Sequence, residues 1–189
     1  MYHISGDIRA KKSAALIVQA VYRCTKTKKL EDISIADLQR ESSISRSTFY
    51  RLFDNIVDVL EYQCDCIFRN LFEIAASTRT DSAHDTFLLL IEAFMEQYEF
   101  IEILSKNNHM EILCEYHRKN IGHIKRLFHI DSVENQWTSD YLCSILSVLL
   151  PAVLSVWIQH GKQETAEELY RNIKDSVQIL GTIYDVPQV

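Results

Sequence analysis

Between Ser43 and Asn55 the chain reads SISRSTFYRLFDN, with two arginines, several hydroxyls and no carboxylate before Asp54. Arginines set among serine, threonine and tyrosine hydroxyls suit anion recognition. A guanidinium pairs bidentately with phosphate oxygens or a guanine edge, and hydroxyls reach the same groups. If Ser45 caps a helix opening at Arg46, the unsatisfied first-turn amides add a further attraction for phosphate. Catalytic chemistry has no comparable signal. The chain holds no Gly-rich phosphate loop, no tight metal-ligand spacing and no nucleophile elbow. Cys114 with His109 or His123 lacks a metal-binding spacing. The expectation is a binding protein, not an enzyme, with no metal and no cofactor.

Such a face needs elements to hold it. Ala14, Ile17, Val18, Val21 and Tyr22 recur at helical spacing and mark a first helix. In ISIADLQRES, Ser34 caps a short second helix with Asp37 three residues on, and Ile33 staples onto Leu38. The segment from Arg46 to Phe53 follows as a third helix, with Ile44 stapling onto Phe49. Asn55 caps a fourth, with Asp58 in its first turn. Two short helices about three residues apart, the second opening with polar and basic side chains, have the helix-turn-helix layout. Burial of Ile35, Leu38, Phe49 and Phe53 sets the angle between them. Ser45, Arg46, Ser47, Thr48, Tyr50 and Arg51 are left on the outer side as the DNA-contacting set. An amphipathic helix that is merely basic has the same composition.

Regional charge favours the first reading. Residues 1–53 carry 10 Lys and Arg against 5 Asp and Glu, whereas residues 54–189 carry 10 against 21. A basic head on an acidic body is the asymmetry of a nucleic-acid reader. Arg9, Lys11 and Lys12 lie ahead of the first apolar repeat, where they are either a solvated tail or further contacts to the DNA backbone.

The stretch ISIADLQRESSISRSTFYRLFDNIVDVL resembles the DNA-binding signature of the tetracycline-repressor (TetR) family. Thr48, Phe49, Tyr50 and Phe53 match its aromatic core, and Ser45–Arg46 match its helix start. The resemblance covers about residues 13–60. It implies Phe49 and Phe53 in the core, Arg46 and Ser47 near bases, and Thr48 and Tyr50 near phosphates. Four positions depart from the pattern. Ser43 stands where the turn usually has glycine, at a cost of about 1–2 kcal/mol if left-handed. Leu52 replaces an aromatic or histidine facing the DNA backbone, Ile56 replaces a phosphate-binding lysine, and Gln39 replaces a small packing residue.

Beyond residue 60 the pattern is a helical bundle, as four glycines and two prolines leave little room for hairpins. Asp81 or Ser82 opens a helix carrying Phe87, Leu90, Ile91, Phe94, Tyr98 and Ile101, with Glu92, Glu96 and Glu99 as a solvated stripe. The next helix aligns Met110, Leu113, His117, Ile121, Ile124 and Phe128 along one seam. His117 on that apolar seam is a core or pocket-wall residue. Phe94, Tyr98, Tyr116, His117 and Trp137 are the candidate ligand-pocket set, although each equally suits core packing.

Residues 141–158 hold no charge. Serines, Pro151 and the lack of flanking cationic anchors weigh against a membrane span. The segment is read as a helix claimed by core and subunit interface, bent at Pro151 and ended by Gly161. Thr165 with Glu168 caps a last helix whose stripe is Ala166, Leu169, Ile173, Val177 and Leu180. The last two helices, about 138–181, are the expected homodimer surface.

The fold class expected is all-α, with a helix-turn-helix domain at residues 1–56 and a helical regulatory and dimerisation domain at 57–189. The function expected is a dimeric, cytoplasmic transcriptional regulator. It would bind a palindromic double-stranded operator, answer to an unknown small-molecule effector and, as the resemblance implies, most often repress. Five cysteines without paired spacing agree with a reducing compartment. The alternative is a protein of this fold that acts through a protein partner and binds DNA weakly.

Overall fold

The computed structural model describes residues 2–4, 6–78, 82–127 and 135–184. Asp81 and Phe128 therefore lie outside the described residues. Among the described residues the chain is all-α, as its low glycine and proline content demands.

The head is built from locally encoded helices. Helix α1 (Ile8–Cys24) starts earlier than its apolar repeat, because Asp7 accepts a hydrogen bond from the Arg9 amide at 3.0 Å. Arg9, Lys11 and Lys12 are thus helical, not a tail. A 3-10 turn (Leu30–Asp32) leads to α2 (Ile35–Ser42), which opens on the Ser34–Asp37 capping box. Helix α3 (Arg46–Leu52) follows a three-residue turn, with Ser45 as its cap and Phe53 already extended beyond its end. Helix α4 (Ile56–Ser77) opens on the Asn55–Asp58 capping box. Leu38, Phe49, Leu52 and Phe53 are buried together, and Ile35 packs beside them.

The body consists of α5 (Ala83–Met95), α6 (Tyr98–Lys106), α7 (Met110–Lys119), α8 (Ile121–Leu127), α9 (Gln136–Gln159) and α10 (Ala166–Ile183). Ser82 caps α5, and Thr165 forms the capping box of α10 with Glu168. The apolar period runs unbroken through Tyr98 and through Ile121, yet the chain leaves the helix at both places. Glu96 and Gln97 separate α5 from α6, and Asn120 separates α7 from α8. The side-chain amide of Asn120 bonds the Tyr116 carbonyl at 2.8 Å, so a side chain takes up part of that helix end.

Besides Ser43 after α2, two helix ends use left-handed residues. Gly161 (φ 75°) terminates α9, with Lys162 N–H reaching back to the Trp157 carbonyl at 2.9 Å. Asn108 (φ 57°) terminates α6 in the same way, with His109 N–H on the Leu104 carbonyl at 2.8 Å. Both are six-to-one Schellman closures. Asn107 beside the second one joins head to body, since its Oδ1 accepts from Leu30 N–H at 3.0 Å.

Helix α9 packs on α6 and α7, and α10 on α5. It stays helical through buried Pro151. Its outer stripe of Trp137, Tyr141, Ile145, Val148 and Val156 is exposed, Tyr141 by 70%. In α10 the expected stripe divides: Ala166, Leu169 and Ile173 are buried, whereas Val177 and Leu180 are half exposed to solvent. With 24 residues and a mean hydropathy of 2.2 over its most apolar window, α9 is long and apolar enough to cross a membrane.

Candidate nucleic-acid interface

Ser45 organises the start of α3. Its Oγ accepts from Thr48 N–H at 3.2 Å and lies 3.0 Å from Ser47 Oγ and 2.9 Å from Thr48 Oγ1. Three hydroxyls are thereby gathered at one helix N-terminus. Ser45, Arg46, Ser47, Tyr50 and Arg51 are exposed and Thr48 is half-buried, while Phe49 and Leu52 turn inward. The Arg46 guanidinium carbon stands 5.6 Å from the centroid of the Tyr50 ring.

The turn ahead of α3 takes the left-handed conformation at Ser43 (φ 59°). Ser42 supports it: its Oγ donates to the Leu38 carbonyl at 2.6 Å and accepts from Ile44 N–H at 3.1 Å. Two of the other departures carry less weight than their positions imply. Leu52 is 2% exposed, because at i+3 from Phe49 it lies on the inner face of a two-turn helix. It faces the core and not a DNA backbone. Gln39 is exposed, so no close helix contact is blocked there. Ile56 is half-buried and leaves its position without a cation.

The ten basic residues of the head fall into two groups. Arg23 pairs with Glu41 at 3.2 Å, Lys26 with Glu99 at 4.0 Å and Lys29 with Glu31 at 3.7 Å. Asp37 holds both Lys28 at 2.8 Å and Arg40 at 2.5 Å, and these bonds keep its carboxyl far below the usual range. Arg9, Lys11, Lys12, Arg46 and Arg51 have no carboxylate partner among the described residues. These five sit at the start of α1 and on α3. The two places are close, because His3 N–H bonds the Leu52 carbonyl at 2.8 Å and the α1 cap Asp7 follows only four positions after His3. Four residues of chain span roughly 14 Å at most.

In the body, Phe94, Tyr116 and His117 come together around Phe68. Phe68 lies 5.6 Å from Phe94, 5.9 Å from Tyr116 and 4.9 Å from His117, centroid to centroid. A cavity of about 40 Å³ opens beside them, walled by Phe72, Leu90, Leu146 and Leu150 among others. His117 Nδ1 donates to the Leu113 carbonyl at 3.1 Å, and burial lowers its pKa to about 4. Tyr98 and Trp137 do not belong to this set. The break before α6 carries Tyr98 to the surface under Lys162, 4.9 Å from its ring, and Trp137 is 75% exposed in the first turn of α9. Among the described residues no group of three or more His, Cys, Asp or Glu is placed to hold a metal ion.

No protein-family model and no curated protein matches the chain. Solved structures do. The crystal structure of Lin0861 from Listeria innocua aligns with a TM-score of 0.80 at 18% identity, over 94% of this chain and 96% of that one. A TetR transcriptional regulator from Streptococcus agalactiae 2603V aligns with a TM-score of 0.62 at 17% identity, over 88% and 94%. The chain shares the all-α fold of these structures. At these identities the likeness concerns the fold alone.

Residues 2–4 carried no signal in the sequence. They contact the end of α3 and the start of α4, partners some fifty positions away that no local pattern announces.

Proposed function

We propose that the chain is a dimeric, sequence-specific DNA-binding transcriptional regulator of TetR type, in the usual case a repressor. Residues 1–56 form its reading head and residues 57–189 its regulatory and dimerisation part. The observation that carries this reading is the division of the head's cations. Those away from α3 and the α1 start each stand within 4.0 Å of a carboxylate, while those on the two elements remain available to phosphates. Chance clustering would not sort paired from unpaired charges by location. Arg46 and Ser47 reach base edges from the start of α3, and Thr48, Tyr50, Arg51 and Lys12 position the head on the backbone.

A single head reads one half-site, so the reading needs a second copy. The exposed stripe of α9 and the outer half of α10 supply an apolar surface on the side away from the core. Two copies bury it in a four-helix arrangement about a two-fold axis. The two heads then address half-sites about 34–36 Å apart on a palindromic operator. Five free thiols agree with a cytoplasmic setting.

The effector is a small, largely apolar molecule seated beside His117. The cavity there, about 40 Å³, is far smaller than the roughly 300–1,000 Å³ of a usual ligand pocket. Occupation must therefore spread α4, α5, α7 and α9. Because α4 begins at the end of the reading head, that spreading alters the spacing of the two heads.

Selection from a pool of random duplexes tests the reading, with enrichment of a palindrome at moderate salt as the expected result. No enrichment, together with stable capture of a protein partner, supports the alternative of a TetR-like protein that acts through that partner. Ile56, where a cation is missing, is the feature that favours it.

A further inference from the structure

We propose that residues 2–4 form a strap that fixes the carboxyl end of α3 against the first turns of α4, so that the pose of the reading helix depends on them. The proposal rests on α3 being the DNA-contacting helix. A seven-residue helix is too short to hold itself, and its last carbonyls lack partners within it. The Leu52 carbonyl finds one in the His3 amide at 2.8 Å. The His3 side chain then meets Asp54 Oδ1 at 3.0 Å, and the Asp54 amide donates to Asp58 Oδ2 at 2.8 Å. One short segment thus clamps the end of α3 and the corner leading into α4.

The clamp extends into the body through Tyr2. Its ring meets Tyr62 of α4 edge-on at 5.4 Å, Tyr62 meets Phe53 at 5.9 Å, and Phe53 meets Phe49 of α3 at 5.8 Å. Ile4 is half-buried and packs on the same core. Burial, and then the hydroxyl of Tyr2, push up the hydroxyl pKa of Tyr116 in α7. Tyr116 stacks on Phe68 at the edge of the His117 cavity. Ring contacts of Tyr62 and Phe68, both on α4, thus border the strap on the sides of the reading helix and of that cavity.

The test uses the full-length protein and two variants. Tyr2→Ala removes the ring contacts, and His3→Pro removes the amide that serves the Leu52 carbonyl. Hydrogen exchange at the amides of residues 49–53 is expected to quicken about three- to tenfold in both, the worth of one net hydrogen bond. Exchange in α10 stays unchanged. Affinity for a palindromic duplex enriched by the unaltered protein falls by a similar factor, while low-salt binding to a random-sequence duplex, which depends on charge, is retained. Unchanged exchange over residues 49–53 overturns the proposal. So does a uniform rise that includes α10, since the segment would then be a general stabiliser. Arg46→Ala separates the two readings: if that variant binds duplexes normally, α3 is not the reader, and the strap is judged on exchange alone.

Discussion

Arg46 and Tyr50 face each other across one turn of α3, the guanidinium carbon 5.6 Å from the ring centroid. An arginine held over a ring at i+4 has fewer poses to lose when it meets a phosphate or a guanine edge. Arg46→Ala is expected to weaken operator binding by about 1–3 kcal/mol per contacted site, the worth of a bidentate base contact. Tyr50→Phe keeps the ring and loses the hydroxyl, so its effect is smaller. Anisotropy titrations report the loss, and sedimentation is expected to show the same assembly in both variants. Normal binding by Arg46→Ala would end the assignment of α3 as the reader.

Ser43 sits at φ 59°, in the left-handed region that disfavours a β-carbon by about 1–2 kcal/mol. Ser43→Gly relieves that strain and gives back part of it as unfolded-chain entropy. The expected outcome is a stabilisation of about 0.5–1 kcal/mol in urea unfolding, with operator affinity unaltered. A loss of stability would mean that the Ser43 side chain supports the turn.

Burial holds His117 neutral, its pKa down at about 4 against 6.5 for the free side chain. Between these values the unfolded chain binds a proton that the folded chain does not, so stability rises with pH across that window. The contribution is complete above pH 6.5 and is lost as the pH falls toward 4. The difference is worth roughly 3 kcal/mol at most. His117→Phe should flatten this part of the profile, measured as urea midpoints at pH 7 and pH 5. An equally steep profile in the variant would place the titrating group elsewhere.

The parts of the fold legible beforehand are those encoded within one or two helical turns. Ser34 with Asp37, Asn55 with Asp58 and Thr165 with Glu168 are caps whose partners lie three residues away. Phe49 and Phe53 declare a buried face by spacing alone. The breaks at Glu96–Gln97 and Asn120 were not legible, because apolar residues continue at helical spacing on both sides. One consequence is that Tyr98 leaves the cavity wall where an unbroken helix would have kept it. The start of α1 at Asp7 was hidden by a first turn with no apolar repeat. The strap was hidden more deeply still, since the partners of Tyr2 and His3 are Tyr62, Leu52 and Asp54.

Ile145 lies midway along the exposed stripe of α9, 59% accessible in the isolated chain. In the proposed dimer it is buried twice, once from each copy, by the two-fold symmetry. Ile145→Asp places two carboxylates in an apolar interface, at a cost on the order of 4 kcal/mol and about a thousandfold in the dimer dissociation constant. The monomer should keep its helical signal, because the side chain is mostly exposed in the single chain. Sedimentation velocity at micromolar concentration checks the outcome, and an unaltered dimer would move the interface away from α9.

Salt dependence probes the division of cations directly. Each cation that neutralises a phosphate contributes about 0.9 to the slope of log affinity against log salt. Lys12→Ala and Arg51→Ala are therefore each expected to flatten the slope by about 0.9 per subunit, whatever the duplex sequence. Lys29→Ala is the internal control, since Lys29 already faces Glu31. Its removal should leave the slope unchanged. Equal flattening by all three variants would show that pairing within the head does not decide which cations meet DNA. If only Lys12 and Arg51 move the slope, the start of α1 and the outer face of α3 lie together on the phosphate backbone.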